Sequence, residues 1–402
     1  MIDVAIIGAG PAGIAAGRAL LASGRSVLLI EARGRIGGRT LTLPFAGHPV
    51  DLGAHWLHAG PINPVVRLAR SLGWRLARAP QERHLFVDGR PARAAEDRAY
   101  EMAFARADAA LTRGAGGVRD VAGEALPPLG PWRAPVAAIT GLVCGRPLRD
   151  ISHRDFASAE YADNLFAPGG FGALMARLGR GLPVRLGTPV SAVDWSGHGV
   201  SIETAAGRIA ARACIVTVPP IVLQRGAVRF SPALPQATGE AIAGFRPAIY
   251  EHVLLRWPGA PFRGRDRIAT LTGRRLPGLG LLTRLDGTAL HYLELDAPMT
   301  EGLGPRGEAQ LARDMLAAQF GRRALRGLQA LHATSWRTDP WSMSSWSCAP
   351  PGAAGIRDQL AEPVGDKVFF AGEATDHLQW GTVGGAWAQG ERVAAQALAA
   401  LR

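Results

Sequence analysis

The chain opens on a short apolar run, a cluster of glycines and a second apolar stretch. Residues 2–7 predict a short apolar strand, residues 8–13 form a glycine-rich turn, and residues 14–23 follow helical spacing. The next apolar run, Val27–Ile30, predicts a second strand. A strand, a helix and a strand in this order indicate a βαβ unit in a parallel sheet.

Further along, helical and extended patterns alternate. Residues 77–182 are rich in alanine and arginine at helical spacing and predict a helical lobe, with breaks at residues 114–117 and 126–135. Strand patterns return after this lobe. They are expected at residues 184–186, 190–195, 200–203, 214–218, 250–257, 280–285 and 290–295.

The end of the chain has the same predicted elements as its beginning, a strand followed by a helix. Residues 367–371 predict a strand and residues 385–401 a helix. The first and last segments are therefore expected to meet in one discontinuous α/β dinucleotide-binding domain, with a second domain inserted between its parts. The expected boundaries are residues 1–76, 183–245 and 363–402 for this domain and residues 77–182 and 246–362 for the second.

Composition limits the classes of protein to which the chain can belong. Its 402 residues are 48% hydrophobic and 19% charged, which is typical of a globular protein long enough for two domains. The formal net charge is +12, but nearly all basic residues are arginines spread singly, and Lys367 is the only lysine. No basic run is interleaved with aromatic residues, so the charge indicates a solvated surface and no nucleic-acid partner.

The cysteines and the first residues bear on the compartment. Cys144, Cys214 and Cys348 are far apart and match neither a zinc-site spacing nor a disulfide framework, which indicates a reducing environment. The sequence enters a buried strand without a basic leader and has no apolar segment of roughly 18 residues. We therefore expect a cytoplasmic protein without a membrane span and without a metal centre.

The glycine-rich turn carries the first chemical signal. Gly8, Gly10 and Gly13 match the pattern G-x-G-x-x-G, in which glycines let the backbone approach a pyrophosphate at a helix N-terminus. Glu31 ends the second strand, where a carboxylate accepts both hydroxyls of an adenosine ribose and repels a 2′-phosphate. The pattern indicates a dinucleotide other than NADP, against the alternative of a plain glycine-rich turn.

Several separated segments extend this motif. Together they resemble the flavin-containing amine oxidase family of monoamine and polyamine oxidases and histone-lysine demethylases. They lie at residues 31–33, 37–40, 51–58, 218–223, 230–235, 336–340, 368–375 and 381–386. Their order along the chain is that of the family, and the departures described below are closer to the polyamine oxidase branch.

The resemblance implies a fold and a cofactor. The fold would be a discontinuous Rossmann-like FAD-binding domain with an α+β substrate-binding domain, as in amine oxidases and p-hydroxybenzoate hydroxylase. Glu31 would hold the ribose of FAD, and Arg33 and Arg39 would lie by its pyrophosphate. The full set of implied cofactor-binding residues is Gly8, Gly10, Ala12, Gly13, Glu31, Arg33, Gly38, Arg39, Ala54, His55, Trp56, Val190, Trp336, Gly372, Glu373, Thr382 and Val383.

The same resemblance implies a substrate cage and a mode of flavin attachment. Trp346 matches one of two aromatic residues that face the amine in monoamine oxidases, and the second position falls on Thr382. Packing in the core is the alternative role for Trp336 and Trp346. The cysteine to which monoamine oxidases attach their flavin is replaced here by Ser345, so non-covalent FAD is expected.

Two histidines complete the implied catalytic set. His58 stands where many polyamine oxidases have a histidine, which would hydrogen-bond a substrate nitrogen, exchange a proton with it, or only order the loop over the flavin. His252 stands where the family usually has a lysine that holds a water near the flavin and assists the reaction with oxygen. Either His252 holds that water, or oxygen is not the best electron acceptor, or His252 is structural.

The resemblance thus implies an FAD-dependent amine oxidase. It would transfer a hydride from the carbon next to the nitrogen of a small-molecule amine to flavin N5, release an imine for hydrolysis and reduce O2 to H2O2. One alternative is a dehydrogenase or desaturase with another electron acceptor, which the histidine at position 252 favours, and a second is a non-catalytic flavoprotein. The positive net charge makes secondary amines and monoamines at least as suitable as long polycations of the spermine type.

Overall fold

The chain forms two large sheets with helices packed around both, which is the α/β two-domain architecture expected from the sequence. The computed structural model describes residues 2–80, 83–113, 119–274 and 276–402. The predicted break at residues 114–117 lies outside the described residues.

The first sheet is centred on the strand with which the chain begins. Ile2–Ile7 pairs in parallel with Val27–Ile30 on one side and with the end of Gly207–Val216 on the other. Val368–Phe370 also runs parallel to residues 214–216, so the last strand of the chain joins the first ones. The eight strands are Ile2–Ile7, Val27–Ile30, Val184–Arg185, Val190–Asp194, Val200–Thr204, Gly207–Val216, Arg229–Ser231 and Val368–Phe370.

Helices cover both faces of this sheet because its central strands are apolar on both sides. Pro11–Ala22 and Val383–Ala400 pack on one face, where their alanine-rich surfaces bring the first and last helices together. Pro220–Gln224, Gln236–Gly244 and Ile356–Ala361 pack on the other face. The two ends of the chain, which the sequence predicts to meet, therefore share one hydrophobic core.

The strand Gly207–Val216 is longer than its prediction. The sequence predicts a strand only at residues 214–218, but the first half of the observed strand pairs antiparallel with Val200–Thr204. In that half Ile209 and Ala211 are buried between more exposed residues. Such a mixed stretch lacks the continuous apolar run by which the buried half is recognised.

The second sheet has seven strands and is mostly antiparallel. In spatial order they are Gln329–Ala333, Tyr250–Arg256, Leu290–Asp296, Leu276–Thr283, Arg267–Gly273, Arg83–Val87 and Arg90–Pro91. Arg83–Val87 runs parallel to Arg267–Gly273. The strand predicted at residues 280–285 is found at Leu276–Thr283, and the sequence does not predict Arg267–Gly273 or Gln329–Ala333.

The two faces of the second sheet differ in polarity because side chains alternate along each strand. Val253 and Leu293 pack with helix Pro305–Phe320 in an apolar core. His252 and Glu294, which lie directly opposite each other on neighbouring strands, point to the other face. We call this other face the polar face.

Residues 77–182 are less helical than the sequence predicts. Arg83–Val87 and Arg90–Pro91 join the second sheet, and Ala77–Arg78 pairs with Leu165–Phe166 in a small sheet. These strands are short and contain charged residues, so they do not interrupt the helical pattern visibly. The helices of the described residues are Pro11–Ala22, Pro64–Ser71, Ala94–Thr112, Arg133–Cys144, His153–Ala157, Phe171–Leu178, Pro220–Gln224, Gln236–Gly244, Ala297–Thr300, Pro305–Phe320, Ile356–Ala361 and Val383–Ala400.

Two further strand pairs lie near the candidate site. Thr42–Phe45 pairs with His48–Asp51, and Arg246–Ala248 pairs with Trp346–Cys348. None of the described helices combines the length and apolar character that a membrane crossing requires. Within the described residues, no group of three or more His, Cys, Asp or Glu side chains is placed to hold a metal ion. The domain boundaries given above stay a prediction.

Candidate active site

The glycine-rich turn after the first strand is tightly packed. Gly8 has a φ of +103°, and a Cβ there would lie 2.4 Å from Thr217 Oγ1. A Cβ on Gly13 would lie 2.0 Å from the Gly8 carbonyl oxygen, so both positions require glycine. Helix Pro11–Ala22 begins after this turn, and no side chain caps it at Gly10. The first N–H groups of the helix are therefore available to an anion.

Glu31 lies beside this turn and is buried. One carboxylate oxygen accepts the N–H of Ala9 at 2.7 Å, and the other accepts the N–H of Arg33 at 2.8 Å. Each oxygen has a second lone pair, so the carboxylate can accept hydroxyl groups while it holds the turn in place. Glu31 therefore has the position and the acceptor capacity needed to bind a ribose.

A cavity extends from the turn across the ends of the parallel strands. Doubly wound sheets bind nucleotides at this position. The predicted cofactor residues that line it are Gly8, Gly10, Ala12, Glu31, Arg33, Gly38, Arg39, Val190, Gly372 and Glu373. Thr217, Val228 and Trp341 also line it, and the sequence does not single them out because none belongs to a recognisable motif.

Glu373 connects three segments in the wall of this cavity. Its Oε1 lies 3.2 Å from Arg39 Nη2 and accepts the N–H and the hydroxyl of Ser347 at 3.1 and 2.9 Å. Its Oε2 accepts the N–H of Gly381 at 3.2 Å. These bonds hold Arg39 in the same wall as Arg33, the other predicted pyrophosphate-binding arginine.

Trp336 and Ala54, two other residues predicted to contact the flavin, hold the segment that follows the strand pair Thr42–Phe45 and His48–Asp51. Trp336 is buried and donates its indole N–H to the Leu52 carbonyl at 2.8 Å. Ala54 donates its backbone N–H to the Arg39 carbonyl at 3.2 Å. The segment that contains His55 is thereby attached to the cavity wall.

Thr382 caps the C-terminal helix, which begins at Val383. Its hydroxyl accepts the N–H of Gly385 at 2.9 Å and donates to a backbone carbonyl at 2.7 Å. The residue that lies against the Trp346 indole is Gly381, where a Cβ would be 3.1 Å from the ring. The predicted second cage position is thus held by a helix-capping residue, and a glycine packs on the tryptophan.

A continuous group of aromatic rings lies on the polar face. His252 stacks on Tyr292 with ring centroids 4.7 Å apart, and Tyr250 meets it edge-on at 4.9 Å. His55 contacts His252 at 5.0 Å and Tyr292 at 5.2 Å. Tyr250 extends the group to Trp346 at 5.6 Å. We call these five side chains the aromatic group.

His58 belongs to a neighbouring set of rings. It stacks on Trp56 with centroids 6.1 Å apart and meets Tyr161 edge-on at 5.3 Å. Its Nδ1 lies 3.0 Å from Asn164 Oδ1. Burial lowers the pKa of His58 to about 4, so the imidazole is neutral at pH 7. His58 can hydrogen-bond a ligand but does not carry a positive charge.

The two histidines of the aromatic group are also neutral at pH 7. Burial lowers the pKa of His55 to about 4. Burial, with a smaller contribution from the nearby His55 ring, lowers the pKa of His252 well below its usual range. Because the imidazole is uncharged, His252 does not supply the positive charge of the lysine that the family usually has there.

One carboxyl group on the polar face was missed by sequence reasoning. Glu294 lies opposite His252, and the Tyr250 side chain interacts with its carboxyl group. Burial raises the pKa of Glu294 to about 7, against the opposing effects of that interaction and of the Arg83 guanidinium. The available signal was a glutamate in the middle of the largely buried strand Leu290–Asp296.

Comparison with known sequences identifies the family. The family described as flavin containing amine oxidoreductase matches residues 11–127 and 150–398. The chain belongs to this family. The resemblance to the flavin-containing amine oxidase family is thereby confirmed.

Its curated relatives include lysine-specific demethylases. The chain is 28% identical over 438 residues to lysine-specific histone demethylase 2 of Homo sapiens, covering 98% of this chain and 53% of that protein. It is 29% identical over 458 residues to lysine-specific histone demethylase 1 homolog 1 of Oryza sativa subsp. japonica, covering 100% and 52%. The chain spans about half the length of the curated relatives it matches.

Among solved structures, the chain is similar to putrescine oxidase. A triple variant made to redesign cofactor binding superposes with a TM-score of 0.77 at 20% identity, over 99% of both chains. The wild-type enzyme bound to putrescine gives a TM-score of 0.74 at 20% identity, also over 99% of both. These likenesses show the two-domain flavin amine oxidase fold.

FAD fits the residues that the structure brings together. The glycine turn and the uncapped helix N-terminus suit its pyrophosphate, and the Glu31 carboxylate suits its ribose. Arg33 and Arg39 lie in the wall of the same cavity, where they would offset the charge of the phosphates.

We expect acid precipitation to release all the FAD from the purified protein. The Ser345 hydroxyl is occupied by two 2.9 Å hydrogen bonds with the backbone of Tyr250, and a hydroxyl there does not form a thioether. Burial raises the pKa of Cys348 to about 12, which keeps this nearby thiol protonated and unreactive. Absorbance of the supernatant measures the release. Flavin remaining with the pellet, and freed by Cys348→Ser, would show a covalent link instead.

Proposed function

We propose that the protein oxidises a small-molecule amine. When bound, FAD accepts a hydride from the carbon next to the amine nitrogen. The observation that supports this most is the polar face, where the rings of the aromatic group contact one another and Tyr250 interacts with the Glu294 carboxyl group. Sites for small ligands combine apolar side chains of this kind with a few polar groups that orient the ligand.

The aromatic group adjoins the FAD cavity through Trp346. The preceding residue, Ser345, accepts a hydrogen bond from Arg39 through its carbonyl at 3.0 Å. The following residue, Ser347, donates to Glu373. Both partners line the cavity, so a ligand against the Trp346 ring would lie next to the cofactor.

The protonation states of this surface suit an amine. Hydride loss requires the lone pair of a neutral amine, whereas aliphatic amines are mostly cations at pH 7. An ammonium group in a dry pocket is destabilised by burial, so its pKa falls toward neutrality. Glu294 can attract the ammonium form when ionised, and the neutral histidines do not repel it.

Two candidates remain for the electron acceptor. We propose that O2 reoxidises the flavin with release of H2O2, and the second candidate is an acceptor other than O2. The observation that favours the second candidate is the uncharged imidazole of His252 at the position of the family's lysine. An uncharged group there does not stabilise negative charge that forms when oxygen is reduced.

Anaerobic mixing with an amine panel tests the proposal. The panel contains a monoamine, a secondary amine, putrescine and a peptide with a methylated lysine, the last because histone demethylases are among the relatives. We expect a small amine to bleach the 450 nm flavin band. If only the peptide reduced the flavin, the substrate would be a protein and not a small molecule. If no amine bleached the flavin, the protein would be a non-catalytic flavoprotein. Peroxide yield under air separates O2 from other acceptors.

Glu294→Gln is expected to raise the KM for the best amine by about tenfold or more, with kcat within about threefold. A charge-assisted hydrogen bond to the ammonium contributes roughly 1.5–3 kcal/mol, and the amide would lose its ionic part. Because the pKa of Glu294 is raised to about 7, the ionised form increases as pH rises, so wild-type KM should fall through about pH 7. This dependence should vanish in the variant.

Glu301→Gln is the matched control, since Glu301 is exposed on a loop. Steady-state kinetics between pH 6 and 8 give both parameters. A KM that changes equally in the two variants, or a kcat loss without a change in KM, would remove Glu294 from the binding of the ammonium group.

A further inference from the structure

Three segments that come together in the fold contain no acidic residue. Residues 4–30, 52–81 and 164–193 contain nine arginines and no lysine, aspartate or glutamate. They therefore carry +9 of the formal net charge of +12. Although the arginines are spread singly along the sequence, the positive charge is concentrated in these segments.

One helix from each segment packs around the same core. Pro11–Ala22, Pro64–Ser71 and Phe171–Leu178 bury apolar side chains in one hydrophobic cluster with helix Val383–Ala400. The last of these helices carries one glutamate and one arginine, so it does not offset the charge of the other three. The first three helices therefore direct their polar sides outward from a shared apolar core.

Two contacts connect these helices near their ends. Arg18 of the first helix donates to the carbonyl of Leu178, the last residue of the third helix, at 3.0 Å. Trp74 follows the second helix and lies against Gly169, just before the third, where a Cβ would be 3.7 Å from the indole ring. The outer sides of the helices therefore adjoin at the surface.

These outer sides carry arginines together with two exposed leucines. Leu21 and Leu72, at the C-terminal ends of the first two helices, are 38% and 43% exposed. The exposed arginines are Arg18, Arg67, Arg70, Arg75, Arg177 and Arg180. Within the part of the chain that the structure describes, Arg75 is the one member of this set with an ion-pair partner, Asp286 at 4.0 Å. We call these eight side chains the arginine surface.

The chemistry of the arginine surface favours a lipid membrane over a nucleic acid. Six guanidinium groups with little compensating charge require an anionic partner. Arginine can keep its apolar stem in a membrane interface and its charge at the level of the phosphates, and exposed leucines can enter the interface beside it. A nucleic-acid groove would present aromatic side chains on which bases stack, and the arginine surface has none.

We propose that the arginine surface docks the protein reversibly on membranes that contain anionic phospholipids. Clusters of four to eight basic residues bind such membranes, and the two leucines add apolar contact. Docking of this kind needs no membrane-crossing helix. The inference goes beyond the proposed function and does not depend on it, because it concerns a surface and not the reaction.

Cosedimentation of the FAD-bound protein with unilamellar vesicles tests the docking. The protein is expected to sediment with phosphatidylcholine vesicles that contain about 30% phosphatidylglycerol and to stay in the supernatant with pure phosphatidylcholine. About 1 M NaCl should release it, because the Debye length falls to about 3 Å. Equal sedimentation with both kinds of vesicle, or sedimentation with neither, would overturn the proposal.

The triple variant Arg70→Gln, Arg177→Gln, Arg180→Gln tests the location of the docking surface. Its partition coefficient onto anionic vesicles should fall by about a hundredfold, because each basic residue near such a membrane contributes about fivefold. The control is the triple variant with glutamine at the exposed residues Arg322, Arg323 and Arg326, which follow helix Pro305–Phe320 beside the second sheet. It removes the same charge and should change the partition coefficient by less than about threefold. Equal losses in both variants would show that net charge binds the vesicles and would overturn the assignment to this surface.

The double variant Leu21→Ser, Leu72→Ser separates a lipid partner from other polyanions. It should bind anionic vesicles about tenfold more weakly, because it loses apolar contact with the interface. Met102→Ser is the control, since Met102 is 67% exposed on helix Ala94–Thr112 and should leave vesicle binding unchanged. If the double variant bound vesicles like the wild type and a double-stranded DNA oligonucleotide displaced them, the surface would bind polyanions by charge alone.

Flavin content and thermal unfolding show whether the variants are folded. If the serine variant fails to fold, Leu72→Cys labelled with a polarity-sensitive fluorophore carries the test. Its emission should shift to the blue on anionic vesicles, whereas the same label at Met102→Cys should not respond. An unchanged spectrum at position 72 would overturn the proposal.

Discussion

Glu31→Ala is expected to purify largely without FAD. The carboxylate is buried at the end of the second strand and has acceptor capacity for both ribose hydroxyls. Charge-assisted hydrogen bonds contribute roughly 1.5–3 kcal/mol each, so the loss of two reduces affinity by roughly a hundredfold or more at 1.4 kcal/mol per tenfold. The change also frees the N–H of Ala9 and of Arg33, which loosens the turn itself.

The flavin-to-protein absorbance ratio and titration of the apoprotein with FAD measure this loss. Glu31→Gln should also bind weakly, because its amide group turns a donor toward one of the two backbone donors. Glu240→Ala is the control, since Glu240 is an exposed helical residue. Full flavin occupancy and unchanged affinity in Glu31→Ala would mean that the ribose is held elsewhere.

The first βαβ unit is the part of the fold that the sequence predicts best. Ile2–Ile7 and Val27–Ile30 occur at their predicted residues because both are apolar runs bounded by residues that end a strand, Gly8 and Glu31. Their helix and their parallel pairing follow from local connection rules. The local hydrophobic pattern and the tertiary packing favour the same elements here, so the sequence alone predicts this unit correctly.

The second sheet could not be predicted in the same way. Arg83–Val87 pairs with Arg267–Gly273 from a distant part of the chain, and neither is a continuous apolar run. Thr270 and Thr272 are buried in the latter strand although they count as polar in a sequence pattern. The position of Glu294 beside His252 depends on this sheet, so sequence reasoning found the histidine through a motif and missed the carboxylate.

In the candidate site, too, residues in motifs are predictable from the sequence, whereas the directions of individual side chains are not. Residues in motifs, such as Glu31 and Gly38, line the cavity. Thr382, which the resemblance placed at the second cage position, caps a helix through its hydroxyl. A family position specifies where the backbone lies, whereas the direction of a side chain depends on its local hydrogen bonds.

Arg357 and Asp155 form an ion pair in the interior behind the cavity wall. Nε and Nη2 of the arginine donate to the two carboxylate oxygens at 2.6 and 2.8 Å, and the side chains are only 1% and 3% exposed. The guanidinium also donates to the carbonyls of Ala374 and Ser347 at 3.3 and 3.2 Å. It therefore supports, through backbone contacts, both segments that hold Glu373.

Arg357→Ala is expected to lower the free energy of unfolding by about 3–5 kcal/mol, because it leaves the Asp155 carboxylate buried without a partner. Asp155→Ala should cost a similar amount for the converse reason. The double variant with leucine at both positions should recover most of the loss, since it removes both charges together. FAD affinity should fall in the single variants, because Ser347 is a donor to Glu373.

Denaturant titration at a fixed FAD concentration measures these changes, because bound FAD itself shifts stability. Arg208→Ala is the matched control, since its ion pair with Glu203 has side chains 76% and 34% exposed, and exposed pairs contribute little. If Arg357→Ala were no less stable than Arg208→Ala, the interior would have to solvate a lone Asp155 carboxylate by water entry or protonation. The wall that carries Glu373 would then depend on apolar packing around Phe370 and Ala374, and the double leucine variant would show no recovery.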